Sequence, residues 1–155
     1  MAGNTERPPR GVCCHEAGHA NVLHSFRVSV VAVRVNFTEE EGWHGGTDVM
    51  PGSTDHLPYM DQAANWAAGR AAEEVFTCPA HRLAWLDDLG QIDALLKANE
   101  IPEDERWPQI EEAITRARTI LEPHRDKALK LIDLLVEHSR VDGPEFARLM
   151  DGGPN

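Results

Sequence analysis

The sequence predicts an α+β fold, mainly α with a small β-ribbon. Small and apolar residues recur at helical spacing over most of the chain. One stretch alone has the period of two of a half-buried strand: Val31, Val33, Val35 and Phe37 alternate with Ala32, Arg34 and Asn36. Proline punctuates the rest, at Pro51-Gly52-Ser53, Cys78-Pro79, Ile101-Pro102 and Pro123. A chain of 155 residues, 41% hydrophobic and 26% charged, suits one globular domain. At this size about 70% of the unfolded surface can be buried without disulfide staples.

A helix is expected over residues 11–26. Its Gly18 costs about 1 kcal/mol relative to alanine, so something must compensate. The strand over residues 31–37 follows, then a turn at 39–42 and a partner strand at 45–50. A second helix is expected from Thr54 or Asp55, either of which can cap it, to about Phe76. Ala64, Ala67, Ala68, Ala71, Ala72 and Val75 give it a small-residue stripe. A short helix is expected over residues 83–98. Beyond it, Ile110, Ile114, Ala117 and Leu121, then Leu129, Ile132 and Val136, read as core-facing repeats, parted by Pro123. Residues 144–150 read as one more short helix. Residues 1–10 and 151–155 read as flexible tails around a domain at 11–150.

The formal net charge is -11, from 15 Lys+Arg against 26 Asp+Glu. Such a field argues against a nucleic-acid backbone or an anionic membrane as partner. No stretch approaches the roughly 20 apolar residues of a membrane helix, and residues 1–10 lack the apolar core of a signal peptide. Three cysteines, Cys13, Cys14 and Cys78, do not make a secreted disulfide framework. The expected setting is reducing and cytoplasmic.

His15-Glu16-Ala17-Gly18-His19 is an H-E-x-x-H motif. Residues four apart on a helix differ in direction by about 40°, so both imidazoles can grip one ion. Zn2+ on three protein ligands keeps a fourth position for water and lowers that water's pKa towards roughly 7. Glu16 lies close to the same face and can take the water's proton, then return it to a leaving amine. His24 does not extend the motif: nine residues from His15, it is turned by about 180° and reads as a surface or packing residue. Cys13 and Cys14 also point off the metal face and read as buried apolar residues, with Cys78 a weak outside candidate. The third ligand must come from downstream, where Glu73, Glu74, Asp87, Asp88 and Asp93 are the acidic options. Spacing does not choose among them.

At this point the sequence resembles the protease domain of the FtsH-type ATP-dependent zinc metalloproteases. His15-Glu16-Ala17-Gly18-His19-Ala20 is similar to that family's H-E-A-G-H-A. Ala68-Gly69-Arg70-Ala71-Ala72-Glu73-Glu74 resembles its G-G-R-A-A-E-E helix. Asp87-Asp88-Leu89 stands where the family has N-D-L. Gly45-Gly46-Thr47 and Pro51 sit where its ribbon ends in G-x-T and a proline, and residues 110–150 resemble its closing helices. The likeness spans about residues 11–150. It implies a zinc-binding helix, a short antiparallel ribbon and a helical bundle. It also implies one Zn2+ per chain on His15, His19 and Asp88, with Glu16 as base and Glu73 or Glu74 as groups supporting the site. The family's transmembrane segments and ATPase module have no counterpart here, and no G-x-x-x-x-G-K-[ST] occurs.

The expected function is therefore that of a stand-alone zinc metalloendopeptidase acting on unfolded proteins or peptides, with a separate ATPase as the partner that would supply folded ones. Substrate is expected to add as a strand along the ribbon edge at Val31, Val33 and Val35. The rival expectation is a metal-binding regulatory or interaction protein without efficient proteolysis. Nothing in the sequence sets an oligomeric state.

Overall fold

The computed structural model describes residues 6–152. The rest of the two expected tails, 1–5 and 153–155, lies outside the described residues. Helix α1 (Arg10–Ser25) leads into strand β1 (Val30–Thr38), which turns back through residues 39–41 into β2 (Gly42–Val49). Helices α2 (Tyr59–Val75), α3 (Arg82–Ala98) and α4 (Glu103–Leu121) follow. A 3-10 turn (Glu122–His124) leads to α5 (Arg125–His138), β3 (Arg140–Asp142) and α6 (Gly143–Asp151). The protein is mainly helical with a small antiparallel sheet, an α+β fold. Arg10 and Asp151, expected at the inner ends of the tails, are helical: Arg10 pairs with Asp133 at 2.8 Å and Asp151 with His24 at 3.2 Å.

The sheet has three strands in the order β2-β1-β3, not the two of a ribbon. β1 pairs with β2 along its length and with β3 at Ala32, Val33 and Arg34, and the Val35 N–H donates to the Ser139 carbonyl at 2.8 Å. β1 is therefore the central strand, with no open edge between residues 32 and 35. Val33 and Val35 point into the core, while Val31 is exposed beside a hollow lined by His24 and Phe146. This corrects the expectation that Val31, Val33 and Val35 offer a substrate edge. The partner that closes the edge arrives about a hundred residues later in the sequence. The edge strands are β2 and the short β3.

Two further expectations shift. α2 begins at Tyr59 rather than near Thr54, and the residues before it form successive turns, closed by Ser53, Asp55 and Leu57 N–H groups on the carbonyls three residues back. Pro58 explains the delay. It lacks an N–H, and it disfavours helical geometry at the residue before it, so it sits at the cap position, where neither matters. In α5 the buried face is Ala128, Leu131, Ile132 and Leu135, while Leu129 and Val136 flank it, half buried. Apolar residues cover so wide an arc of this helix that periodicity allows several stripes, and packing selects one.

α1 is buried from Gly11 to Leu23. It crosses α2 on the alanine stripe, where Ala64, Ala67, Ala68, Ala71 and Ala72 are fully buried. The approach is close because Gly18 faces α2. A Cβ there would lie 2.4 Å from the Ala68 carbonyl oxygen and 2.6 Å from the Ala72 methyl. That contact is what repays the helix penalty of Gly18. A second core (Ala63, Ala67, Ile92, Leu96, Ile110 and Ala113) fixes α3 against α2 and α4. The first prediction follows. Gly18→Ala gains about 1 kcal/mol of helix propensity, but overpacking costs about 1–3 kcal/mol. The variant should unfold at lower denaturant concentration than wild type, and a raised midpoint would contradict this packing.

Candidate metal centre

His15 and His19 stand one turn apart on α1, and α3 brings Asp88 over them. His15 Nε2 lies 2.9 Å from Asp88 Oδ2, His19 Nε2 lies 3.1 Å from the same oxygen, and the two Nε2 atoms are 3.2 Å apart. All three side chains are buried, and together they form a group that could hold a metal ion. Of the five acidic candidates for third ligand, Asp88 is the one that reaches both Nε2 atoms. Asp87, the next residue on the helix, is exposed at the cleft wall, and Asp93 pairs with Lys97 at 2.7 Å.

The second nitrogen of each ring is tethered. His19 Nδ1 is 2.7 Å from the Asn65 carbonyl oxygen, which can only accept, so Nδ1 carries a hydrogen. His15 Nδ1 is 3.0 Å from Glu73 Oε1 and donates likewise. Both Nε2 atoms therefore face Asp88: a ring that carries a second proton donates it to that carboxylate, and one that does not presents its lone pair to a metal ion. Glu73 is the supporting carboxylate. Glu74, the alternative, faces outward and pairs with Arg70 at 3.3 Å and with Arg118. The His15 ring also needs Gly69: a Cβ there would come within 2.3 Å of the imidazole.

Glu16 projects under β2. The Thr47 hydroxyl lies 3.1 Å from Glu16 Oε2 and 3.2 Å from the Glu16 carbonyl, and Glu16 Oε1 makes no hydrogen bond among the described residues. These groups line a cleft of about 350 Å3 between β2, α1 and α3. His24 is remote, edge-to-face with Phe146 at 5.7 Å between ring centres beside a separate hollow, as its angle on the helix implied. Cys13 and Cys14 are fully buried and distant in role, with the Cys14 thiol donating to the Ala72 carbonyl at 3.4 Å. The Asn65 carbonyl, Thr47 and Gly69 were not foreseen. A glycine within an alanine-rich helix is the one signal that pointed to such a contact.

The chemistry of the donors fits a divalent transition ion. Tetrahedral zinc with bonds of about 2.0–2.1 Å would hold its ligand atoms about 3.3 Å apart, close to the triangle observed. Two imidazoles and a carboxylate suit zinc, whereas calcium and magnesium favour oxygen alone. Charge points the same way. Glu16, Glu73 and Asp88 are 6%, 3% and 8% exposed, and three buried carboxylates need positive charge among them. A proton can meet part of that need. Burial opposes a charged His15, but its hydrogen bonds to Asp88 and Glu73 outweigh burial and push its pKa up to about 9. Burial would raise Asp88, but its bonds to His15 and His19 hold it below the ordinary carboxylate range.

Two predictions follow. A raised His15 pKa stabilises the chelated protein fully below the ordinary value of 6.5, and that contribution is lost as pH rises through about 9. Thermal melts with chelator present should therefore fall between those values. Metal binding must expel the same proton, so zinc affinity should rise over the same window. Melting temperatures that climb with pH in chelator would overturn the assignment of that proton. Separately, Asp88→Ala should lose stoichiometric metal while Asp87→Ala retains it, as measured by metal analysis. The reverse result would move the third ligand.

No family model matches this chain and no curated protein matches it, so the reading of the site rests on the geometry above and on the motifs of the sequence.

Proposed function

We propose that this chain is a zinc metalloendopeptidase of the FtsH-type kind, cleaving unfolded polypeptides or peptides. The observation that carries the reading is the convergence of three acceptor atoms, on tethered side chains, beside a carboxylate with a free oxygen in an open cleft. One zinc ion on His15, His19 and Asp88 would supply Lewis acidity to a peptide carbonyl and acidify a water to near neutrality. The residues supply the rest. Glu73 and the Asn65 carbonyl hold the imidazoles so that neither ring must reorient during turnover. Thr47 steadies one oxygen of Glu16 and leaves the other to accept a proton and return it to the departing amine.

Substrate would lie along the outer edge of β2, the strand that borders the cleft. Gly45 leaves room for Glu16, and Gly46 for the Arg34 guanidinium. An added strand needs several free backbone N–H and C=O groups in a row, which a folded protein has mostly paired. Folded substrates would therefore depend on a separate ATPase or on their own unfolding.

Glu16→Gln should keep its zinc and lose hydrolysis, because glutamine preserves the shape but cannot take a proton. Loss of cleavage with full metal occupancy supports the peptidase; a wild type that binds zinc but cuts no unfolded protein would favour the metal-binding regulator instead. A stable folded domain and its destabilised variant, digested side by side, should be cut slowly and quickly in that order, at rates indifferent to ATP. Equal rates, faster than the folded domain unfolds, would sink the strand-addition model.

A further inference from the structure

We propose that His81 is the positioning residue of the metal centre, joining the carboxylate that orients His15 to the helix that carries Asp88. This rests on the metal site itself and not on what the site cleaves.

His81 stands at the cap position of α3, where the helical turn is about to begin, with φ -97° and ψ 85°. Every polar group it owns is engaged. Its backbone N–H donates to Glu73 Oε1 at 2.9 Å, the oxygen that also receives the His15 Nδ1 hydrogen. Its carbonyl accepts from the Trp85 N–H at 3.1 Å. Its Nδ1 accepts from the Ala84 N–H at 3.1 Å, satisfying one of the orphan donors of the first turn. Because Nδ1 accepts, the ring hydrogen is on Nε2, and it donates to the Trp43 carbonyl on β2 at 3.2 Å. The ring sits 6.0 Å from that of His15.

The choice of residue has a physical reason. Serine, threonine, aspartate and asparagine are the usual helix caps, and each could accept from Ala84. None could also donate to β2, because that bond needs a second nitrogen on the far side of a rigid ring. Histidine is thus a cap with a strut. Through it the end of α2, the edge strand and the start of α3 meet at one residue. Asp88 lies seven residues further along α3, about 10 Å down the axis at 1.5 Å per residue. A slip or rotation at the cap is carried rigidly to the ligand oxygen. Glu73 is held at the same time: its Oε1 bridges His81 and His15, while its Oε2 has no hydrogen bond and Arg70 stands 3.7 Å away. Without the His81 N–H in place, the carboxylate would be free to turn from His15.

The test uses the full chain and zinc alone, with affinity read by competition against a chelating dye. Outer groups that orient metal ligands are worth about 10–100-fold in affinity, and His81→Ala should lose an amount in that range. His81→Asn keeps an acceptor for Ala84 but cannot reach Trp43, so its affinity should fall between the two. Arg82→Gly loosens the same helical turn without touching any of these bonds and should bind zinc like wild type. Cobalt substitution gives a second readout: the visible spectrum should shift in His81→Ala and stay unchanged in Arg82→Gly. If His81→Ala fails to fold, as circular dichroism would show, His81→Asn carries the test. Wild-type affinity and an unshifted cobalt spectrum in the folded histidine variant, or an equal loss in Arg82→Gly, would overturn the proposal.

Discussion

The close approach of α1 to α2 is the constraint on which the rest of the structure depends. It is made possible by two glycines, one on each helix. Gly18 lets α1 settle onto the Ala68 carbonyl and the Ala72 methyl, and Gly69 leaves room for the His15 ring. With the helices this close, His15 can reach Glu73 across the interface and His19 can reach the Asn65 carbonyl. The two tethers fix both ring hydrogens before any metal is considered. Side chains at Gly18 and Gly69 would push the two helices apart and lengthen both hydrogen bonds. The alanine stripe of α2 therefore serves the site as much as the core.

That packing has a cost which bears on the chemistry. A run of polar groups, from Glu73 through His15 to Asp88 and His19, passes through a largely apolar interior. Removing one member of a buried charged network leaves the others without compensation, at roughly 3–5 kcal/mol. The network is balanced only while a proton or a cation sits among its carboxylates. Stability and metal affinity are thus two readings of one charge balance, which is why pH should move them in opposite directions.

The sequence exposed some of this and hid the rest, for physical reasons. His15, Glu16 and His19 were legible because helical geometry relates residues three and four apart with no reference to the remainder of the chain. Asp88 was one of five acidic candidates until resemblance singled it out, since the contact spans 69 residues or more and depends on how α3 docks. Glu73 and Glu74 are adjacent and chemically alike. Only the rotation of α2 decides that one meets His15 and the other meets Arg70 and Arg118. β3 was missed because three residues carry no periodicity, and that omission misassigned the open edge of the sheet to β1.

The corrected edge makes better sense of the composition of β2. Gly42, Gly45 and Gly46 are poor strand formers, and a half-exposed strand built on them is weakly held by its own side chains. In the middle of a sheet that would be a defect. At the edge it allows Glu16 to lie against Gly45, where a Cβ would fall 2.5 Å from its side chain. The valine-rich β1 gives the opposite: it is paired on both sides, and Val33 and Val35 are buried against the helices. The stiff strand anchors the sheet, and the glycine-rich strand leaves space for the Glu16 side chain. Hydrophobic alternation locates the first kind of strand and is silent about the second, which is recognised by what it allows to approach.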